Sequence, residues 1–340
     1  MAAEPEALEP LLARYRRPVL DALRAAVAAH PAPPFDLLPY HLGWADREGR
    51  PAESPGGKLL RPTLCLLACE AAGGAWRDAL PAAAALELLH NFTLVHDDVE
   101  DASEERHGRA TLWRVTGEAQ AINAGDGLFA LAHATLLSLD APAERVLAAA
   151  RMLDDATLAL CEGQHRDLTA GDGGEHSRAG YLAMVDGKSC ALLAASTGIG
   201  ALVGGADEAT VAALREYGRR LGFAFQVRDD ILGIWGDPEV TGKPASDDLR
   251  AGKRTFPVVV ALERAGAAGR DELLALLDRD DADLARAREL LERAGARDES
   301  ERAAAEHAGR AVEALAGLPL DAGRRAELVL LARFAADRSA

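Results

Sequence analysis

Along most of this chain apolar residues recur every three to four positions, the spacing that gives a helix one buried face. The pattern predicts an amphipathic helix over Glu4–His30, closed by Pro31, Pro33 and Pro34. A second helix is predicted over Lys58–Ala72, behind a Pro55-Gly56-Gly57 turn. A third runs over Asp78–Asp101, with Asp78 as its N-cap and Pro81 in its first turn. Long helices follow over Glu118–Leu139, Ala143–Leu168, Arg178–Leu202 and Glu208–Trp235. The polar or Gly- and Pro-bearing stretches Ala102–Thr116, Gly171–Glu175 and Gly236–Thr255 read as connections. From Phe256 onward the chain reads as shorter helices. No strand-like alternation competes, so the expected fold is all-α. One domain is expected over residues 1–340.

Composition agrees with this pattern. Aromatics are only 4% of the chain while Ala and Leu are abundant, which favours helices over sheets. Half the residues are apolar (49%), enough for a large core. The net charge of −16 argues against a nucleic-acid groove and against adhesion to anionic lipid. An anionic substrate would have to be drawn by local cations or metal ions. Cys65, Cys69, Cys161 and Cys190 form no C-x-x-C pair and read as reduced core thiols. The N-terminus MAAEPEALEP has no basic region followed by an apolar stretch, and no uncharged apolar run reaches the ~18 residues a membrane span needs. A cytoplasmic protein is expected.

Two predicted helices end in paired aspartates. In HDDVED, Asp97 and Asp101 lie about one turn apart and share a face, with Asp98 roughly 100° round the helix. Acidic charge is disfavoured at a helix C-terminus, and the apolar run LLHNFTLV leads straight into it. Such an end is either a solvated acidic tip or a place for a cation. Hard oxygen ligands with room for water suit Mg²⁺ shared with substrate phosphates. Asp229 and Asp230 repeat the arrangement after LGFAFQV. Cations stand nearby in sequence: Lys58 and Arg61 before the first cluster, Arg106 and Arg109 after it, and Lys243, Lys253 and Arg254 after the second. Each would also suit an ordinary surface ion pair. His90, one heptad before Asp97, is either a satisfied core histidine or a phosphate contact.

The stretches GGKLLRP, LELLHNFTLVHDDVED, RHGRATLW, INAGDGLFA, EGQHRDL, GKS, FQVRDDILGIWGD and GKPASDDLRAGKRTFP run in order from about Gly56 to Pro257. In them the chain resembles the trans-isoprenyl diphosphate synthase (polyprenyl synthetase) family. The resemblance implies a helical bundle around a central cavity, usually homodimeric. It implies that Asp97, Asp98, Asp101 and Asp229 hold Mg²⁺ on an allylic diphosphate, with Asp230 assisting. Lys58, Arg61 and His90 would bind isopentenyl diphosphate, and Arg106 the allylic diphosphate. Lys188, Ser189, Gln226, Lys243 and Lys253 would line the allylic site. The chemistry implied is ionisation, condensation and elimination, with oxygens near Lys188, Ser189 and Gln226 shielding an allylic cation.

Three positions depart from the family pattern. Leu59 stands where an arginine is usual, His107 where a second arginine often follows Arg106, and Gly233 where the second motif ends in aspartate. His107 can still donate a hydrogen bond. Class I terpene cyclases share the fold but pair an Asp-rich motif with an Asn/Ser/Glu triad, whereas this chain has a second Asp-Asp. Non-catalytic partner subunits tend to lose their Asp clusters, and both survive here. The product expected is short, C20 geranylgeranyl diphosphate, with C15 as the alternative. Phe92 and Leu89 lie five and eight residues before Asp97, roughly 7 and 12 Å down the helix. The helical period places Thr93 nearer the Asp97 face. The resemblance makes Phe92 the floor of the chain-length cavity, and the small Thr93 leaves depth beside it.

Overall fold

The computed structural model describes residues 8–52, 57–169, 177–237, 247–277 and 283–338. The fold is all-α. Its main helices are α1 (Glu9–Ala28), α3 (Leu60–Ala71), α4 (Leu80–Glu100), α6 (Glu118–Leu137), α7 (Ala143–Thr169), α9 (Ala191–Val203) and α10 (Glu208–Trp235). Shorter ones are α2 (Leu38–His41), α5 (Leu112–Thr116) and α8 (Arg178–Val185). Beyond α10 come α11 (Asp247–Arg250), α12 (Phe256–Arg264), α13 (Ala267–Leu277), α14 (Leu284–Arg293), α15 (Ala296–Ala314) and α16 (Ala322–Asp337). No described helix is long and apolar enough to cross a membrane.

Helix α4 is the spine. Ala82 to Leu89 are buried throughout, Glu87 included, because α4 is wrapped by α3, α6 and α1. The alanines let these neighbours approach closely. Helix α9 is also sheathed, packing on α3, α7 and α10. Apolar side chains gather in two clusters. The larger joins α1, α3, α4, α6, α9 and α16; the smaller lies between α8, the C-terminal half of α10 and α12 to α15. The Asp-bearing ends of α4 and α10 emerge from this packing.

Several boundaries differ from the sequence expectation. Helix α4 begins at Leu80, not Asp78: Trp76–Ala79 form a 3₁₀ turn and Ala79 is the N-cap, with Pro81 in the first turn as expected. Helix α3 begins at Leu60, so Lys58 precedes it, and Leu59 takes the left-handed conformation (φ 50°). The Ala102–Thr116 connection contains a small hairpin, β1 (Glu105–Arg106) against β2 (Arg109–Ala110), and the helix α5. The expected helix over Arg178–Leu202 is interrupted by a π-turn, Asp186–Cys190. Pro55, Gly56, the Gly171–Glu175 turn and residues 238–246 of the later connection lie outside the described residues.

Candidate active site

The first aspartate cluster sits where α4 ends, beside α7 and the π-turn. Asp97 Oδ1 accepts from Lys188 Nζ at 3.1 Å and Gln164 Nε2 at 3.2 Å. Its Oδ2 lies 3.4 Å from Arg106 Nη2. Asp98 is almost wholly buried, and Arg106 grips its Oδ1 through Nε at 2.9 Å and Nη2 at 2.7 Å. Burial raises the Asp98 carboxyl above the usual range despite Arg106. Asp101 is raised too, first by desolvation and then by the charge of Asp97. Three carboxylates are therefore crowded at a helix C-terminus, with cations answering two of them. Among the described residues no three carboxylate, histidine or thiol groups form a ready-made metal cluster. The donors are nevertheless all hard oxygens, and the crowding of Asp101 against Asp97 is what a divalent ion would relieve. The residues fit Mg²⁺.

Lys188 reaches Asp97 because the π-turn lies directly on α7. A Cβ on Gly163 would stand 2.2 Å from Lys188 N, and one on Gly187 2.3 Å from Ala159 O, so both positions need glycine for this approach. π-turns often mark functional positions. Burial opposes the Lys188 charge, but Asp97 and Asp167 outweigh it and hold its pKa above the usual value. Its Nζ sits 2.5 Å from Asp167 Oδ2. Next along the π-turn, Ser189 Oγ donates to Gln226 Oε1 at 2.8 Å. Gln226 Nε2 in turn donates to Asp230 Oδ1 at 3.0 Å.

The second cluster is built differently. Asp230 is buried, and its other oxygen accepts from Tyr181 Oη at 2.6 Å and Phe256 N at 2.8 Å. Burial pushes its pKa up to about 7, against the pull of those donors. Three protein donors thus hold Asp230, one on Oδ1 and two on Oδ2. Asp229 is half-exposed and accepts from Arg338 Nη2 at 2.6 Å. Lys58 lies within electrostatic reach of Asp229 and Arg338, and its pKa is lowered by desolvation and by Arg338. Beside Gly233 lies the carboxylate of Asp248: a Cβ on Gly233 would stand 1.8 Å from Asp248 Oδ2. A carboxylate from α11 thus occupies the ground next to the position where the motif lacks one. Lys253 Nζ stands 3.7 Å from Asp248 Oδ1 and is largely exposed. Lys243 lies outside the described residues.

Two cavities flank α4. One, of about 390 Å³, is lined by Arg61, His90, Phe92, Thr93, His96, Asp97, Leu160, Gln164, Lys188, Ser189 and Leu192. Its lining combines charged and polar groups with apolar side chains. Phe92 is braced by His96 and Phe129, with ring centroids 4.8 and 5.4 Å away. Leu89 is fully buried and lies outside this lining, so of the three expected chain-length positions Phe92 and Thr93 face the cavity. Arg61 is deeply enclosed, its charge disfavoured by desolvation and partly restored by Glu87. The other cavity, of about 360 Å³, is lined by Gly57, Leu59, His90, Arg106, His107 and Arg109 among others. His90 borders both and is held neutral, by burial first and then by Arg61 and Arg106.

A polyprenyl synthetase family model matches residues 49–294. The chain belongs to the polyprenyl synthetase family. It is similar to the (2E,6E)-farnesyl diphosphate synthase of Mycobacterium tuberculosis, 42% identical over 310 residues, 89% of this chain and 86% of that protein. It is equally similar to the geranylgeranyl diphosphate synthase of the same species, 42% identical over 328 residues, 95% of this chain and 92% of that protein. A solved polyprenyl synthetase from Streptomyces coelicolor superimposes with a TM-score of 0.89 at 41% identity, covering 96% of this chain and 99% of that one. This polyprenyl synthetase is accordingly a prenyltransferase.

Sequence reasoning passed over several groups that the fold brings to these sites. Gln164 and Asp167 are three apart on α7, so both face α4 and the π-turn. That spacing was visible in EGQHRDL. Tyr181 and Arg338 carried no comparable local signal, because their partners are distant in the chain, whereas Asp248 lay within the quoted stretch GKPASDDLRAGKRTFP.

Proposed function

We propose that this enzyme condenses isopentenyl diphosphate with an allylic diphosphate to give a short-chain trans-prenyl diphosphate, C20 in preference to C15. The observation that carries the proposal is one cavity whose lining includes Asp97, Lys188 and Gln164 together with apolar side chains, Phe92 among them. A diphosphate and its hydrocarbon tail need both kinds of lining. Asp97, Asp98 and Asp101, together with Asp229, would hold Mg²⁺. Bound there, Mg²⁺ supplies positive charge to the departing diphosphate. Lys188 and Arg106 add fixed cations on the same side, so negative charge is stabilised where it develops. Ser189 and Gln226 present oxygens toward the carbon that loses its leaving group. The isopentenyl double bond attacks that carbon, and the released pyrophosphate takes the proton. Asp230 acts indirectly, by fixing Gln226. Exposed Ile122 and Leu137 on α6, with Leu147 and Leu158 on α7, are apolar surface that a homodimer could cover. The reading remains that of a cytoplasmic enzyme.

The test is product sizing. Purified protein with Mg²⁺, labelled isopentenyl diphosphate and each allylic primer should yield C20 as its longest main product. Phe92→Ala removes a ring from the cavity wall and should lengthen the product by at least one isoprene unit. A folded, active variant with unchanged chain length would remove Phe92 as the floor.

A further inference from the structure

The smaller hairpin creates a feature that the family motifs do not explain. His107 and Gly108 both have positive φ (53° and 70°) and form a two-residue turn. The register then sets Arg106 directly opposite Arg109, so both side chains leave the same face of the ribbon. Arg106 is consumed by Asp97 and Asp98. Arg109 meets no carboxylate among the described residues. Its Nη2 donates to Ala45 O at 3.0 Å, and its guanidinium lies 4.4 Å over the Tyr40 ring. These contacts fix the group and leave further N–H donors facing the 360 Å³ cavity.

The cavity has other cations of the same kind. Arg16 donates to Gly57 O at 3.4 Å, and Arg24 lies 5.6 Å over the Trp44 ring. Neither has a carboxylate partner among the described residues. The acids of the cavity are Glu87 and Asp98. Asp98 is answered by Arg106, and Glu87 stands within electrostatic reach of Arg61. Three guanidinium groups with no carboxylate partner among the described residues thus border one cavity. They repel one another, and a bound anion with several oxygens would relieve them. His41, enclosed beside them, has its pKa lowered to about 4, by desolvation first and then by Arg106 and Arg109. His90 and Leu94 line both cavities, so a ligand anchored by these arginines can extend its carbon end toward the Lys188 side.

We propose that Arg109, with Arg16 at the rim, binds the diphosphate of isopentenyl diphosphate. It supplies the cationic contact that basic side chains at positions 59 and 107 would otherwise give. This rests on the condensation proposed above. Isopentenyl diphosphate alone does not react, so its binding to the full chain can be titrated by calorimetry. Arg109→Gln should weaken that binding about tenfold or more, the worth of one charged hydrogen-bonding group. The KM for isopentenyl diphosphate should rise in step, while kcat and the KM for the allylic primer stay within about twofold. Arg109→Lys should restore part of the affinity. Should Arg109→Gln lower the melting temperature, Arg16→Gln carries the test, since Arg16 holds only a carbonyl; roughly threefold weakening is expected there. Unchanged binding in both variants, or an equal rise in the KM for the primer, overturns the proposal while leaving the condensation intact. Wild-type protein that fails to condense the two substrates overturns the condensation itself.

Discussion

Helices α4 and α10 both carry Asp-Asp within their last two turns, and the fold treats the two pairs differently. At the end of α4 Asp98 is buried against Arg106, while Asp97 meets side chains from α7 and the π-turn and Asp101 is crowded by Asp97. At the end of α10 one carboxylate turns inward, where Tyr181, Gln226 and the amide of Phe256 saturate it. The other is held by an arginine two residues from the end of the chain. The cause is what surrounds each helix end. Helix α4 ends beside the hairpin, α7 and the π-turn, with a cavity below. Helix α10 runs its last turns through the smaller apolar cluster, where a charge must be paired or neutralised. The same Asp-Asp pair therefore meets two different surroundings: a cluster facing side chains of α7 and the π-turn at the first, and a saturated buried carboxylate beside an arginine-paired one at the second.

The largest expected difference is in turnover. Asp97→Ala should leave the fold intact, because Lys188 keeps Asp167 and Arg106 keeps Asp98. Losing its share of leaving-group stabilisation should cost about 3–5 kcal/mol, roughly two to four orders of magnitude in turnover. Steady-state rates at saturating Mg²⁺ give the answer, and near-normal turnover would be incompatible with the role of the first cluster.

Asp230→Ala should report on stability instead. It strands the Tyr181 hydroxyl, the Gln226 amide and the Phe256 N–H in a buried space. A loss of about 2–4 kcal/mol in unfolding free energy is expected from such a network. Urea denaturation of Asp97→Ala and Asp230→Ala side by side separates the two effects. If both variants unfold at the wild-type midpoint, the inward-facing network is not structural.

How much of this was legible beforehand follows the same division. The helices and the Asp97–Asp101 face could be read from local spacing, and the place of Lys188 only from the family resemblance. The residues at the end of α4 were legible too, since their partners lie in recognisable motifs. The fate of Asp230 could not, because Phe256 and Tyr181 approach it only in the folded chain. The left-handed Leu59, which displaces Lys58 from the helix start, reflects tertiary packing overriding a plausible helical pattern. The hairpin at Glu105–Ala110 was too short to show a period, although a His-Gly pair tolerant of positive φ was present. Gly233 looked like a missing ligand, and only the fold reveals the Asp248 carboxylate lying against it.

The smallest expected effect lies at Asp229. The Arg338 guanidinium stacks 3.8 Å from the Phe225 ring centroid, and its backbone carbonyl accepts from Arg228 Nε at 2.6 Å, so the end of the chain is fixed over α10. A cation already sits on the carboxylate that a divalent ion would share. Asp229 is half-exposed, so solvent screens the pair and its worth is modest, about 0.5–1 kcal/mol. Arg338→Ala should therefore tighten divalent-ion binding by roughly two- to fivefold in the absence of substrate. Titration with Mn²⁺, following the free ion by electron paramagnetic resonance, reads this directly and does not depend on turnover. The same substitution in an Asp229→Asn background should change nothing, because the carboxylate for which arginine and metal compete is gone. Equal tightening in both backgrounds would mean that Arg338 acts through general charge and not through Asp229.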